Sequence, residues 1–330
     1  MPLLEVKNLH TNYLTRRGVV QAVYDVSFSL KRGRTLGIVG EAGSGKTTSV
    51  LSILQLLDKN GRIDSGEIWF DGEEITKMDQ EQMRQIRGND ISFIFQGLPM
   101  SLNPVFTVEE QVCEPFLVHQ NMSKAEAENK VTEMLSLVNI ADPESVKKLY
   151  PHQLSEGMRQ RIMIAMAFAC EPKLLIADEP TSSLDVTIQA QILTLIKDLK
   201  SQANTSILLT TPDIGVIHEM ADDVLVMNNG FAVEEAPVEI VFGDDGVFSH
   251  PYTEELLKLP GLDAPAGACF RMGYASSLHR NRLHAGCVFT SRCQYATDRC
   301  REVEPEWTEV EKNHRVRCFY PRKGVRSNGR

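Results

Sequence analysis

The chain has 330 residues, 42% hydrophobic and 24% charged, a balance that suits a globular protein and is too apolar for a disordered one. Its net charge of −9 argues against nucleic acid as the main partner, because phosphate backbones attract Lys- and Arg-rich surfaces. No run of 18 apolar residues occurs, and residues 1–5 open no basic-then-apolar leader, so the expectation is a cytoplasmic protein that reaches a membrane only through partners.

In chain order, residues 3–9 and 23–30 alternate apolar with polar and predict strands. Residues 35–39 form a short apolar strand that runs into a glycine-rich turn, and residues 47–57 have helical periodicity. Residues 66–72 read as another strand ending at a turn. The charged stretch 123–149 carries Val131, Met134, Leu135, Leu137 and Val138 at helical spacing, which predicts a small helical insertion. Residues 174–177, 206–210 and 223–227 are apolar runs that suit buried parallel strands. Beyond Gly243 the composition turns to Gly, Pro, His and Cys, placing a domain boundary at about residue 245.

Gly40, Glu41, Ala42, Gly43, Ser44, Gly45, Lys46 and Thr47 fit the pattern G-x-x-x-x-G-K-[ST], after a predicted strand and before a predicted helix. Glycines let consecutive N–H groups curl around phosphate oxygens, and the following helix adds the positive end of its dipole. Lys46 is expected to neutralise β- and γ-phosphates and Thr47 to coordinate Mg²⁺, with Thr48 completing the phosphate-binding set. Asp178, at the end of an apolar strand, is placed to hold the same Mg²⁺, and Glu179 to orient or deprotonate an attacking water. The expected ligand is therefore ATP with Mg²⁺.

Seven cysteines are an odd number for a disulfide framework, so reduced thiols or metal ligation are expected. Cys287, Cys293, Cys300 and Cys318 are spaced C-x5-C-x6-C-x17-C, which is not a zinc-ribbon pattern. The spacing leaves open an iron–sulfur cluster, a zinc ion or unligated thiols. Cys113, Cys170 and Cys269 read as buried or loop residues.

Residues 154–161 (LSEGMRQR) look like the signature motif of ATP-binding cassette (ABC) proteins, and residues 182–185 (SSLD) like the D-loop that follows it. Through these, through residues 150–155 (YPHQLS) to 185–191 (DVTIQAQ), and through residues 250–253 (HPYT), the chain resembles the ATPase subunits of bacterial dipeptide and oligopeptide importers, and those of nickel importers. The resemblance covers residue 4 to about residue 318.

It implies an α/β fold: an ABC-type P-loop nucleotide-binding domain over 1–245 with an antiparallel β layer, a helical subdomain over about 92–165, and a cysteine-bearing extension over 246–330. It implies that Tyr13 stacks on adenine and that Gln96 touches Mg²⁺ or the water and senses membrane subunits. Ser155 and Gly157 would face the γ-phosphate bound by an opposite subunit, and Asp185 would sit at the dimer seam. By the same resemblance the four cysteines hold a [4Fe-4S] cluster, with zinc as the alternative. The implied partners are a second ATPase subunit in a heterodimer, two transmembrane permease subunits and, indirectly, an extracytoplasmic solute-binding protein, at the cytoplasmic face of the inner membrane.

The chain departs from the family pattern in three places. Pro212 stands where the family has its switch histidine, Glu156 replaces the first glycine of the signature, and residues 97–100 (GLPM) differ from the usual DPMT. Proline has no side-chain donor and no N–H, so a weak or silent ATP site is expected here. Three readings stay open: a peptide-importer ATPase with a degenerate site, a non-catalytic regulatory subunit of a heterodimer, and an importer subunit for nickel or another small solute.

Overall fold

A computed structural model describes residues 1–97, 102–182, 184–243, 248–258 and 286–323. The chain divides into two compact units, one made of residues 1–77 and 209–330 and the other of residues 78–208.

The first unit opens with β1 (Pro2–Thr15) and β2 (Gly18–Lys31), two long antiparallel strands whose alternating burial follows the two-residue side-chain period. Next come β3 (Thr35–Val39), buried at every position, and α1 (Lys46–Ile53). The helix is shorter than the periodicity of residues 47–57 predicts. Gln55 takes a left-handed conformation (φ 50), which ends the helical path after Leu54. β4 (Gly61–Phe70) and β5 (Glu73–Glu74) complete an antiparallel sheet in the order β2-β1-β4-β5.

The second unit is mainly helical: α2 (Gln80–Ile86), β6 (Ile91–Ile94), α3 (Val108–His119), α4 (Lys124–Leu137), α5 (Pro143–Val146), α6 (Glu156–Phe168), β7 (Leu174–Asp178) and α7 (Val186–Ala203). Capping boxes at Asp79, Thr107 and Ser123 start α2, α3 and α4, each pairing the cap side chain with a Glu or Gln three residues on. Val131 and Leu135, with Ala127, form the buried stripe of α4 and Val138 is buried at its C-cap, whereas Met134 is only half-buried and Leu137, expected on the same face, is exposed. β6 and β7 pair in parallel, and β7 is buried throughout, as its unbroken apolar run requires.

β8 (Ser206–Thr211) carries the chain back to the first unit, followed by α8 (Ile214–Met220), β9 (Asp223–Asn228) and β10 (Phe231–Pro237). β3 pairs with β9 in parallel, and β9 with β10 antiparallel. Then come α9 (Val238–Val241), β11 (Phe248–Ser249), α10 (Pro251–Leu257), α11 (Asp298–Glu302), β12 (Thr308–Glu311), β13 (His314–Val316) and β14 (Arg322–Lys323). The C-terminal strands join the first unit through β13, which pairs with β10 and β12. A buried carboxylate fixes this junction. Glu234 on β10 accepts from the His250 N–H at 2.8 Å and from the Thr253 hydroxyl, and it pairs with His314 Nε2 at 2.8 Å. The expected boundary at about 245 falls outside the described residues, as do Leu98, Pro99, Met100, Ser101, Ser183, Cys269 and His284.

Candidate functional site

The phosphate loop lies between β3 and α1. Two of its glycines are dictated by space: a Cβ on Gly40 would stand 2.1 Å from the Met227 carbonyl oxygen. Gly45, at φ +106, would bring a Cβ within 2.6 Å of the Ala22 carbonyl oxygen. Lys46 is buried and donates from Nζ to the carbonyl oxygens of Gly40 at 2.7 Å and Glu41 at 3.0 Å. Ser44 is buried, and its hydroxyl has no hydrogen-bond partner among the described residues. Thr47 and Thr48 are half-buried in the first turn of α1, which carries no acidic side chain. A buried cation, an unsatisfied hydroxyl and an uncontested helix N-terminus form a site for an anion. Ala42 and Gly43 lie exposed at the loop tip. Tyr13 sits half-buried on β1, its ring so close to Gly61 that a Cβ there would meet it at 2.7 Å.

The second unit brings Gln96 and Glu179 together, with Gln96 Nε2 donating to Glu179 Oε2 at 2.7 Å. Asp178, 1% exposed at the end of β7, directly precedes Glu179. Glu179 adopts φ +47, an uncommon conformation for a side chain of its size. The turn is tied to α6 by Gln160 Nε2, which donates to the Pro180 carbonyl at 2.7 Å.

Ser155 caps α6, its hydroxyl accepting from the Met158 N–H at 3.3 Å. Glu156 is exposed at the first position of that helix, where the positive dipole end favours a carboxylate by roughly 0.3–1 kcal/mol. Gly157 stands next to α7, where a Cβ would approach Ile188 to 3.3 Å. Asp185 caps α7, accepting from the Thr187 and Ile188 N–H groups at 3.0 and 3.1 Å. In the first unit, Pro212 is exposed between β8 and α8, and Asp213 caps α8.

Cys287, Cys293, Cys300 and Cys318 line one cavity of about 20 Å³, together with His250, Phe289 and Thr290. Burial pushes the Cys318 thiol up to about 12 and raises those of Cys287 and Cys293. Among the described residues, no three His, Cys, Asp or Glu side chains stand close enough together to hold a metal ion. His250 is buried, and burial pushes its imidazole down to about 3. Its Nδ1 accepts from the Tyr252 N–H at 3.0 Å, so the ring proton resides on Nε2, which has no partner among the described residues. The four thiols share one cavity, but as placed they do not form a set that could hold a metal ion.

Two residues outside the sequence-derived set touch the phosphate loop. The Glu41 N–H donates to the Tyr252 hydroxyl at 2.9 Å, and Arg292 pairs with the Glu41 carboxylate at 2.7 Å. These contacts join residues 211 and 251 positions apart, and no local pattern signals them.

The ABC transporter family profile matches residues 23–182, and the oligopeptide/dipeptide transporter C-terminal region matches residues 233–300. The oligopeptide transport ATP-binding protein AppD of Bacillus subtilis is 44% identical over 319 residues, covering 96% of each chain. The oligopeptide transport ATP-binding protein OppD of Salmonella typhimurium is 44% identical over 322 residues, covering 97% of this chain and 94% of its own. A solved dimer of an ATP-binding cassette, in a post-hydrolysis state bound to ADP and Pi, superposes with a TM-score of 0.64 at 28% identity, covering 71% of this chain and 98% of its own. The chain belongs to the ABC transporter ATPases, within the group that carries the oligopeptide/dipeptide transporter C-terminal region. Among the described residues, no helix is long and apolar enough to cross a membrane.

Proposed function

We propose that this chain is the ATP-binding subunit of an importer of di- and oligopeptides, converting Mg-ATP binding and hydrolysis into substrate uptake. The observation that carries this reading is full-length similarity at 44% identity to oligopeptide transport ATP-binding proteins, extending through the C-terminal region.

In this reading, Gly40–Thr48 receive the phosphates, with Lys46 neutralising their charge. Thr47, Asp178 and Gln96 hold Mg²⁺, Glu179 draws the proton from the attacking water, and Tyr13 stacks on adenine. Gln96 also positions Glu179, which supports a role for it at the water. Ser155, Gly157 and Asp185 serve the nucleotide of an opposing ATPase subunit. Pro212 supplies no donor to the γ-phosphate, so turnover at this chain's own site is slower than with a histidine there and limits the transporter's cycle.

The partners are a second, different ATPase subunit and two permease subunits at the cytoplasmic face of the inner membrane, fed by a solute-binding protein. A groove of about 280 Å³ lined by Phe93, Phe95, Pro115, Val118, Met163 and Met166 lies next to Gln96 in sequence and suits a permease helix. Cys287, Cys293, Cys300 and Cys318 hold a [4Fe-4S] cluster or zinc as a structural centre. The convergence of all four on one cavity supports this, although the thiols must draw closer together to ligate it.

The test is uptake of a radiolabelled peptide by the reconstituted transporter. The parent should transport and Lys46→Ala should not. Equal uptake by both, or ATP-dependent uptake of nickel instead of peptide, would contradict the reading.

A further inference from the structure

Glu41, the second residue of the phosphate loop, is held twice from the C-terminal extension. Its backbone N–H donates to the Tyr252 hydroxyl at 2.9 Å. Its carboxylate receives Arg292 Nη1, at 2.7 Å to Oε1 and 2.8 Å to Oε2. Arg292 also pairs through Nη2 with Glu255 on α10. Its guanidinium lies 6.0 Å from the Tyr252 ring centroid and 5.6 Å from that of Phe289, and Tyr252 itself is fully buried. The fork is therefore fixed by two carboxylates and two rings, and it points at the loop. In sequence, Arg292 directly precedes Cys293.

The charge arrangement has a consequence for ligand binding. Glu41 places a carboxylate in the loop whose other features, buried Lys46 and the start of α1, invite an anion. An uncompensated carboxylate there would repel a triphosphate. Glu255 competes for the same cation, so one guanidinium faces two carboxylates and offsets only part of their negative charge.

We propose that Arg292 is a positioning residue for nucleotide binding: the C-terminal extension reaches back through it to neutralise Glu41 and set the affinity of the phosphate loop for Mg-ATP. Tyr252 serves the same end by holding the Glu41 N–H and thereby the start of the loop. The extension is in this way part of the nucleotide site as well as an appendage to it. The inference rests on the reading of Gly40–Thr48 as an ATP site.

Side chains that remain 35% exposed for Arg292 and 26% for Glu41 set a modest effect, because solvent screens the pair. Isothermal titration of the full-length chain with Mg-ATP tests it. Arg292→Met, which keeps the apolar stem, should weaken binding about threefold to tenfold, and Arg292→Lys should restore most of the loss. The same Arg292→Met change made in the Glu41→Gln background should cost less than about twofold, because no carboxylate is left to neutralise. A merely structural clip would cost the same in both backgrounds, and that result overturns the proposal. So does an Arg292→Met chain that binds like the parent. A parent that binds no Mg-ATP overturns the nucleotide reading of the loop and the proposal with it.

Discussion

Gln96 and Glu179, 83 residues apart, meet through a 2.7 Å hydrogen bond in which the amide donates and the carboxylate accepts. The contact holds one oxygen of Glu179 in place. Gln96→Ala removes the donor and frees the carboxylate to rotate. ATP turnover of the assembled transporter should fall about tenfold, by more than any accompanying loss of affinity for Mg-ATP. A fall in affinity with unchanged maximal rate would assign Gln96 to binding instead.

Pro212 lies exposed between β8 and α8, so a larger polar side chain meets no packed core there. Pro212→His restores a donor of the kind the family uses. Steady-state turnover should rise, by up to about 10²-fold, the scale of one transition-state hydrogen bond. An unchanged rate would mean that another group already serves the γ-phosphate.

His119 ends α3 beside Gly88, where a Cβ would come within 3.0 Å of its Nε2. Burial, and then the charge of Arg84, holds its imidazole below the ordinary value of 6.5. The unfolded chain thus takes up a proton at a pH where the folded chain does not. Stability should fall as pH drops through the ordinary histidine range, and level off below the depressed folded value. His119→Gln should flatten that slope in urea titrations across pH, and an unaltered slope would place its origin elsewhere.

The cysteine cavity gives a direct readout. Anaerobically purified chain should contain either about four irons with a thiolate-to-iron absorption band or one zinc, and Cys300→Ser should lose that metal and lower the melting temperature. Metal-free parent with an unaltered melting temperature in the variant would show four structural thiols and no centre.

What was legible from sequence was local. The phosphate loop declared itself because strand, glycine turn and helix are contiguous, and the apolar run into Asp178 because a buried parallel strand has no polar alternation. The caps add a layer the motifs do not announce: Ser155 and Asp185, which the motifs assign to a partner's nucleotide, also start their own helices, α6 and α7. The end of α1 was misjudged because a left-handed Gln55 leaves no compositional mark. Arg292 and Tyr252 escaped because nothing near them in sequence refers to Glu41. Such contacts depend on how the C-terminal extension folds back, which periodicity and motif spacing do not encode.

The most direct measurement is the steady-state ATPase rate of the assembled transporter with Glu179→Gln in this chain. Glutamine keeps the shape and removes the base, so turnover should fall about tenfold or more. A rate equal to the parent's would contradict hydrolysis at this chain's site and leave it a nucleotide-binding subunit that does not turn over.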